Sequence, residues 1–157
     1  MTLPLSVDEL ALLAQSTFAD TAFLLTELAD DPAALAESRV CVEIAFDGEL
    51  KGRLVLAATE LLAAELAADM LCVERGHADA ALHARGALAE LANVFAGVLL
   101  PRVFGERGAW KLGLPRLRAA EPGIFAGERS RAVTLVSDSG QPIRVELVLE
   151  GDTQSPD

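Results

Sequence analysis

The sequence contains few cysteines and few aromatic residues, and both shortages narrow the classes of protein that it can represent. It has two cysteines, Cys41 and Cys72, and aromatic residues make up only 4% of the chain. Both cysteines lie in apolar segments without a CxxC or Cys/His spacing, so we expect two reduced core thiols and no zinc site. Apolar residues nevertheless reach 52%, many of them Ala and Leu, which favours a folded domain packed with small side chains.

Basic residues are also scarce. The chain has 13 Lys and Arg against 24 Asp and Glu, a net charge of −11. This excess of negative charge opposes phosphate backbones and anionic lipid surfaces, so no nucleic-acid or membrane partner is expected. The apolar runs fall short of the roughly 18–20 residues that a membrane span needs, and the start Met1–Pro4 lacks the basic residues of a secretory signal. We therefore expect a cytoplasmic protein.

The order of the predicted elements indicates a single domain over residues 1–150, followed by a polar tail at 151–157. Ser6 and Glu9 form a capping box for a first helix, whose apolar repeat continues to Leu28. Later patterns predict a hairpin of strands 39–46 and 50–57 turning at Asp47-Gly48, helices at 60–72 and 79–100, and strands at 110–118, 131–136 and 143–150. The fold class is α+β, with helices covering one face of a largely antiparallel sheet.

The long helix, which we expect to end at Pro101, has two dissimilar faces. One face carries apolar side chains suited to packing on the sheet: Leu88, Leu91, Ala92, Phe95 and Leu99. Another carries a stripe of different character: His83, Gly86, Glu90, Asn93 and Gly97, with Val94 at its border. Asn and Gly cost a helix some tenths up to about 1 kcal/mol relative to Ala. Their use in an Ala-rich chain indicates a role for the stripe.

The spacing within this stripe brings two polar groups together. Glu90 and Asn93 stand three residues apart, so both side chains project from one face of the helix. Gly86 and Gly97 lie one turn before and one turn after them, which leaves the surface low enough for a partner's backbone to approach. An isolated ExxN of this kind occurs often by chance, as a solvated charge beside an ordinary amide.

A longer match gives the pair more weight. The string from Ala87 to Gly97 resembles the active-site helix of the CheC/CheX/FliY phosphatases, and most of all that of the single-site CheX branch. Pro115 follows Asn93 after 21 residues, close to the family's spacing, and the segment from Leu112 to Pro115 looks like the strand that the family places there. The chain departs from the family at Gly86, where the pattern has Asp or Ser. Only one such motif is present, so the two-site arrangement of CheC is not expected.

The resemblance implies an activity and a division of roles. The substrate would be the phospho-aspartate of a CheY-like response-regulator receiver, with Asn93 orienting the attacking water and Glu90 pairing with the receiver's lysine. Gly86, Gly97 and Val94 would contact the receiver. The chain would need no cofactor or metal of its own, since Mg²⁺ belongs to the receiver in this family. The resemblance also implies a homodimer.

Other interpretations remain open at this stage. His83 shares the stripe and is a candidate acid or base, although a single histidine near a helix start is more often solvated or capping. Trp110 is a core or interface residue, and the basic group Arg102, Arg107, Lys111, Arg116 and Arg118 is a solvated surface or an attractor of an acidic receiver. Besides a phosphatase, the chain can be a non-enzymatic CheX-like adaptor or a dimerisation module with an accidental ExxN.

Overall fold

The computed structural model describes residues 4–30, 39–105, 110–118 and 130–150, and these contain three helices and seven strands. In chain order the elements are α1 (Val7–Ala22), β1 (Thr26–Leu28), β2 (Arg39–Gly48), β3 (Gly52–Thr59), α2 (Glu60–Leu71), α3 (Ala78–Phe104), β4 (Trp110–Leu112), β5 (Arg116–Arg118), β6 (Ser130–Ser137) and β7 (Pro142–Leu149). The tail predicted at 151–157 lies outside the described residues.

The strands form one sheet in the order β1-β6-β7-β3-β2-β4, with β5 also paired to β2, and every pair is antiparallel. Alternate residues point to opposite faces of such a sheet. Ile44, Leu54 and Leu147 stand opposite one another on three neighbouring strands and are fully buried in the core that includes the helices. Cys41 and Ala57 form a separate small cluster on the other face. The helices thus cover one face of an antiparallel sheet, which confirms the predicted α+β class.

The first helix begins as predicted but ends earlier. The Ser6 hydroxyl accepts a hydrogen bond from the Glu9 backbone N–H at 3.1 Å, and Leu5 and Leu10 are both buried beside this cap. The helix stops at Ala22, because Phe23 adopts the left-handed conformation. The backbone N–H at this cap donates a hydrogen bond to the Phe18 carbonyl. The expected continuation to Leu28 is wrong: Thr26–Leu28 is instead an edge strand, held by pairing with β6.

The hairpin of β2 and β3 is present, but its turn is displaced. β2 continues to Gly48 and β3 begins at Gly52, which leaves residues 49–51 as the connection. Asp47 and Gly48 are not the turn that the sequence predicts, because they extend β2 and pair with β4 on its other edge. The single strand predicted at 110–118 is likewise divided into β4 and β5, with a break at 113–115.

The last long helix continues beyond its predicted end. Pro101 lies inside α3, which ends only at Phe104, with the Gly105 N–H donating to the Pro101 carbonyl. A proline removes one backbone hydrogen bond, here the bond to the carbonyl of Gly97. Gly97 is exposed, so water can donate a hydrogen bond to its carbonyl instead. The added helical turn also buries Val103. This explains why the proline is tolerated near the helix end.

The same helix is long and apolar enough to cross a membrane, by its 27 residues and by a mean hydropathy of 1.5 over its most apolar 18-residue window. In this fold, however, half of its most apolar window is buried inside the protein, where it contacts α1, α2, β2 and β3. This is the environment expected of the core helix of a soluble domain.

Candidate functional site

Helix α3 is positioned by contacts on several sides. Its start is capped by His77, whose Nδ1 accepts a hydrogen bond from the Asp79 backbone N–H at 3.1 Å. Farther along, Phe95 packs edge-to-face on Phe18 of α1 with ring centroids 5.6 Å apart. The middle of the helix is therefore fixed against α1, and a functional side chain placed there would have a rigid support.

The two faces of α3 are those expected from the sequence. Leu88, Leu91 and Phe95 are buried. The opposite stripe is exposed at His83, Gly86, Glu90, Asn93 and Gly97, and Val94 is half-buried. The prediction that Glu90, Asn93 and Gly97 share an accessible face is confirmed.

Among the residues that the structure describes, neither polar side chain of the motif is engaged. Over the described ranges, the carboxylate of Glu90 and the amide of Asn93 take part in no hydrogen bond or ion pair. Polar groups in this state are hydrated and exchange partners readily, whereas a structural pair would already be satisfied. The arrangement presents one carboxylate and one carboxamide to whatever docks on this face.

The glycines that flank the pair are not required by packing. A Cβ added at Gly86 or Gly97 would meet nothing within 4 Å. By contrast, a Cβ at Gly52 would overlap the Val148 carbonyl oxygen and the Phe46 ring. The fold itself thus requires a glycine at position 52, while at positions 86 and 97 it leaves open space above the helix.

The stripe borders a depression between α2 and α3 that sequence reasoning missed. It has a volume of about 200 Å³ and is lined by Ala67, Met70, Leu71, His83, Gly86, Ala87 and Glu90. Met70 and Leu71 are 41% and 45% exposed. The available signal was a pair of large apolar residues at the very end of an amphipathic helix, but the sequence alone does not tell which face of α2 meets α3.

The other candidate residues lie apart from this stripe or serve structural roles. His77 is a helix cap, and Trp110 is half-buried against the core. Arg118 pairs with Glu43 at 3.1 Å on the far edge of the sheet, and Arg107 lies outside the described residues. Lys111, Arg116 and Arg118 stand opposite residues of β2 on the sheet face away from the helices, so these three cations do not lie beside Glu90 and Asn93.

One charged cluster is structural. Arg75 binds Asp69 through two hydrogen bonds of 3.3 and 2.9 Å, and its guanidinium lies 2.9 Å from the buried carboxylate of Glu65. Hydrogen bonding to Asp69, more than the attraction of the nearby carboxylates, raises the pKa of Arg75 above its usual value. Ser139 donates to Glu65 at 3.0 Å. These contacts tie the end of α2 to the turn between β6 and β7.

The two cysteines differ in their surroundings. Cys41 is buried in the sheet, and burial raises the pKa of its thiol. Cys72 is exposed, since it occupies the left-handed position that ends α2. The expectation of two core thiols is therefore right for Cys41 and wrong for Cys72. Among the described residues, no group of three or more His, Cys, Asp or Glu side chains is arranged to hold a metal ion.

Comparison with known proteins identifies the fold. No family model matches the sequence, and no curated protein matches it either. Solved structures do match: a chain of the CheX–CheY–BeF₃–Mg²⁺ complex from Borrelia burgdorferi shares 15% identity over 88% of this chain and 94% of that one, with a TM-score of 0.65. CheX from Desulfovibrio desulfuricans shares 14% identity over 89% and 95%, with a TM-score of 0.67. FliY from Thermotoga maritima shares 12% over 87% and 82%, with a TM-score of 0.55.

These matches define the class of protein: an antiparallel sheet with helices, in the arrangement shared by CheX, CheC-like proteins and FliY. The chain has this CheC/CheX/FliY fold, and it aligns with the CheX structures over nearly their full length. The resemblance stated from the sequence is confirmed at the level of the fold.

Proposed function

We propose that this protein is a phosphatase that hydrolyses the phospho-aspartate of a CheY-like receiver domain. The observation that carries the proposal is the placement of Glu90 and Asn93 on the central helix of a CheX-like fold, where both are exposed and have no hydrogen-bond or ion-pair partner among the described residues. A protein of this fold has been solved in a complex with CheY, BeF₃ and Mg²⁺, which supports a receiver as the partner.

In the proposed reaction a water molecule attacks the phosphorus of the acyl phosphate. The phosphorus–oxygen bond to the receiver's aspartate breaks, which releases inorganic phosphate and returns the aspartate to its carboxylate form. Asn93 contributes its amide, which accepts from and donates to the water and holds it in line with the breaking bond. Glu90 pairs with a lysine of the receiver and fixes the docked orientation. Mg²⁺ on the receiver would neutralise charge on the phosphoryl oxygens, so this chain needs only to position groups.

The surface around the pair suits this task. Gly86 and Gly97 place no side chain above the helix, so a receiver's backbone can come close enough for Asn93 to reach into its active site. Val94, half-buried at the border of the stripe, offers a small apolar contact.

The chain would act in the cytoplasm as a homodimer, as the family resemblance implies. Light scattering of the purified protein tests the dimer.

The decisive experiment compares two substitutions that remove different parts of the mechanism. Asn93→Ala removes the amide that orients water, so turnover of a phosphorylated receiver should fall by at least about 100-fold while binding survives. Glu90→Ala removes a charged contact and should weaken binding by about 1–3 kcal/mol, with a smaller effect at saturating receiver. Phosphate release is measured at saturating and subsaturating receiver, with circular dichroism as the folding check.

Val98→Ala is the matched control, because Val98 is an exposed residue of the same helix outside the stripe. Wild-type turnover in folded Asn93→Ala would remove the phosphatase from consideration. The adaptor function, which is favoured by Gly86 in place of the family's Asp or Ser, would then be the preferred hypothesis. The adaptor function predicts that even the wild-type protein binds the phosphorylated receiver without releasing its phosphate.

A further inference from the structure

The depression between α2 and α3 is continuous with the proposed receiver site. Glu90 belongs to both, since its side chain lines the depression and is also the proposed docking charge. Gly86 lines the depression as well. A partner protein that pairs with Glu90 across this surface therefore also covers the depression, and the partner's surface must fit the shape of the depression.

The size and lining of the depression indicate what it can accept. Its volume of about 200 Å³ is below the roughly 300–1,000 Å³ of pockets that enclose free small molecules. Ala67, Met70, Leu71 and Ala87 make most of the wall apolar, and the open space above Gly86 leaves the entrance clear. Such a cavity suits one large apolar side chain projecting from a protein surface, which is the usual form of an interface anchor.

The negative charge of Glu90 at the rim further limits which chemical groups can bind in the depression. Glu90 has no intramolecular cation to neutralise it among the described residues, and covering it with an apolar surface alone would leave a desolvated, unpaired carboxylate. An acidic neighbour would be repelled. The complementary surface is therefore an apolar side chain next to a lysine or arginine.

We propose that this depression receives an apolar side chain of the docked receiver, placed beside the receiver cation that pairs with Glu90, and that Met70 and Leu71 of α2 select receivers by the shape of that side chain. The inference rests on the proposed partner but not on turnover. It adds α2 to the interaction surface, whereas Glu90 and Asn93 both lie on α3. It also gives position 86 a function: a side chain there would stand at the entrance and narrow it.

The experiment measures the dissociation constant for a CheY-like receiver loaded with beryllofluoride and Mg²⁺, across a panel of purified receivers. Gly86→Leu fills the entrance without changing charge, and Met70→Ala removes part of the wall. Binding should weaken by roughly tenfold or more for Gly86→Leu and by several-fold for Met70→Ala. Ala81→Leu adds the same group at an exposed position of α3 outside the depression, and Leu61→Ala truncates an exposed residue of α2 away from it. Both controls should bind as the wild type does.

The outcomes separate this inference from the proposed activity. Wild-type affinity in folded Gly86→Leu would overturn the docking role of the depression and leave the phosphatase proposal intact. A wild-type protein that binds a receiver without hydrolysing its phosphate would end the phosphatase proposal, while the same variants still test the depression. A wild-type protein that binds no receiver of the panel would overturn both.

Discussion

Replacing the two stripe glycines by alanine should make the protein more stable. Gly86 and Gly97 lie in the interior of α3, and an added Cβ would meet nothing within 4 Å at either position. Alanine in an exposed helix interior is favoured over glycine by about 0.8–1.0 kcal/mol, because it loses less backbone entropy on folding. The free energy of unfolding should therefore rise by about 1 kcal/mol for each single substitution.

The two effects should add, because the positions are separated by about three helical turns and share no partner. In a chain of this size, about 1 kcal/mol corresponds to a rise in Tm of roughly 2–4 °C, so the double variant should gain roughly 4–8 °C. Urea unfolding followed by circular dichroism, together with thermal melts, measures both quantities. Gly52→Ala is the contrasting control: its Cβ would overlap the Val148 carbonyl oxygen, so it should lose more than about 1 kcal/mol.

A loss of stability in Gly86→Ala or Gly97→Ala would refute the reasoning, since it would mean that this helix face is packed and not open. If the glycines are kept for a partner's approach, the more stable double variant should also process a receiver more slowly at subsaturating concentration. A gain in stability together with a loss of function is not expected of an ordinary surface position.

Three further outcomes are expected of the isolated protein. At neutral pH the exposed thiol of Cys72 should react with a thiol reagent. Cys41 should react only on unfolding, because it is buried and burial raises its pKa. A Cys72→Ser variant that still reacts quickly would contradict this. For the same reason stability should fall as the pH rises above the pKa of an unfolded thiol, about 8.5, since ionisation then favours the unfolded chain, and Cys41→Ala should reduce that fall. Elemental analysis of the purified protein should find no stoichiometric metal, and a bound ion that survives chelation would show that the chain supplies metal chemistry of its own.

The sequence predicted the parts of this fold that depend on local patterns. The cap at Ser6 and the division of α3 into a buried and an exposed face are both visible in residue order, because each depends on neighbours within one or two turns. The same two-sided pattern of α3 indicates the candidate site, because the helical period alone places Glu90 and Asn93 together on the face opposite the apolar one.

The errors occurred where distant pairing overrides local preference. Asp47-Gly48 is a favourable turn sequence, yet β4 pairs with both residues and holds them in β2. Thr26–Leu28 continued a helical repeat, yet pairing with β6 makes it a strand. The depression was missed for the same reason, since it exists only where α2 and α3 meet. Local propensity is a weak guide when a partner strand or helix from elsewhere in the chain decides the outcome.

The position of β3 in the sheet has a consequence for how the protein is made. β3 pairs on one side with β7, so that Gly52 stands opposite Leu149, and the chain between them includes α2 and α3. On the ribosome, at about 5–20 residues per second, several seconds pass between the synthesis of β3 and that of its neighbour. During this interval β3 has an unpaired, apolar edge, while α2 and α3 can already form from local contacts. The nascent chain at this stage is therefore a natural client for chaperones.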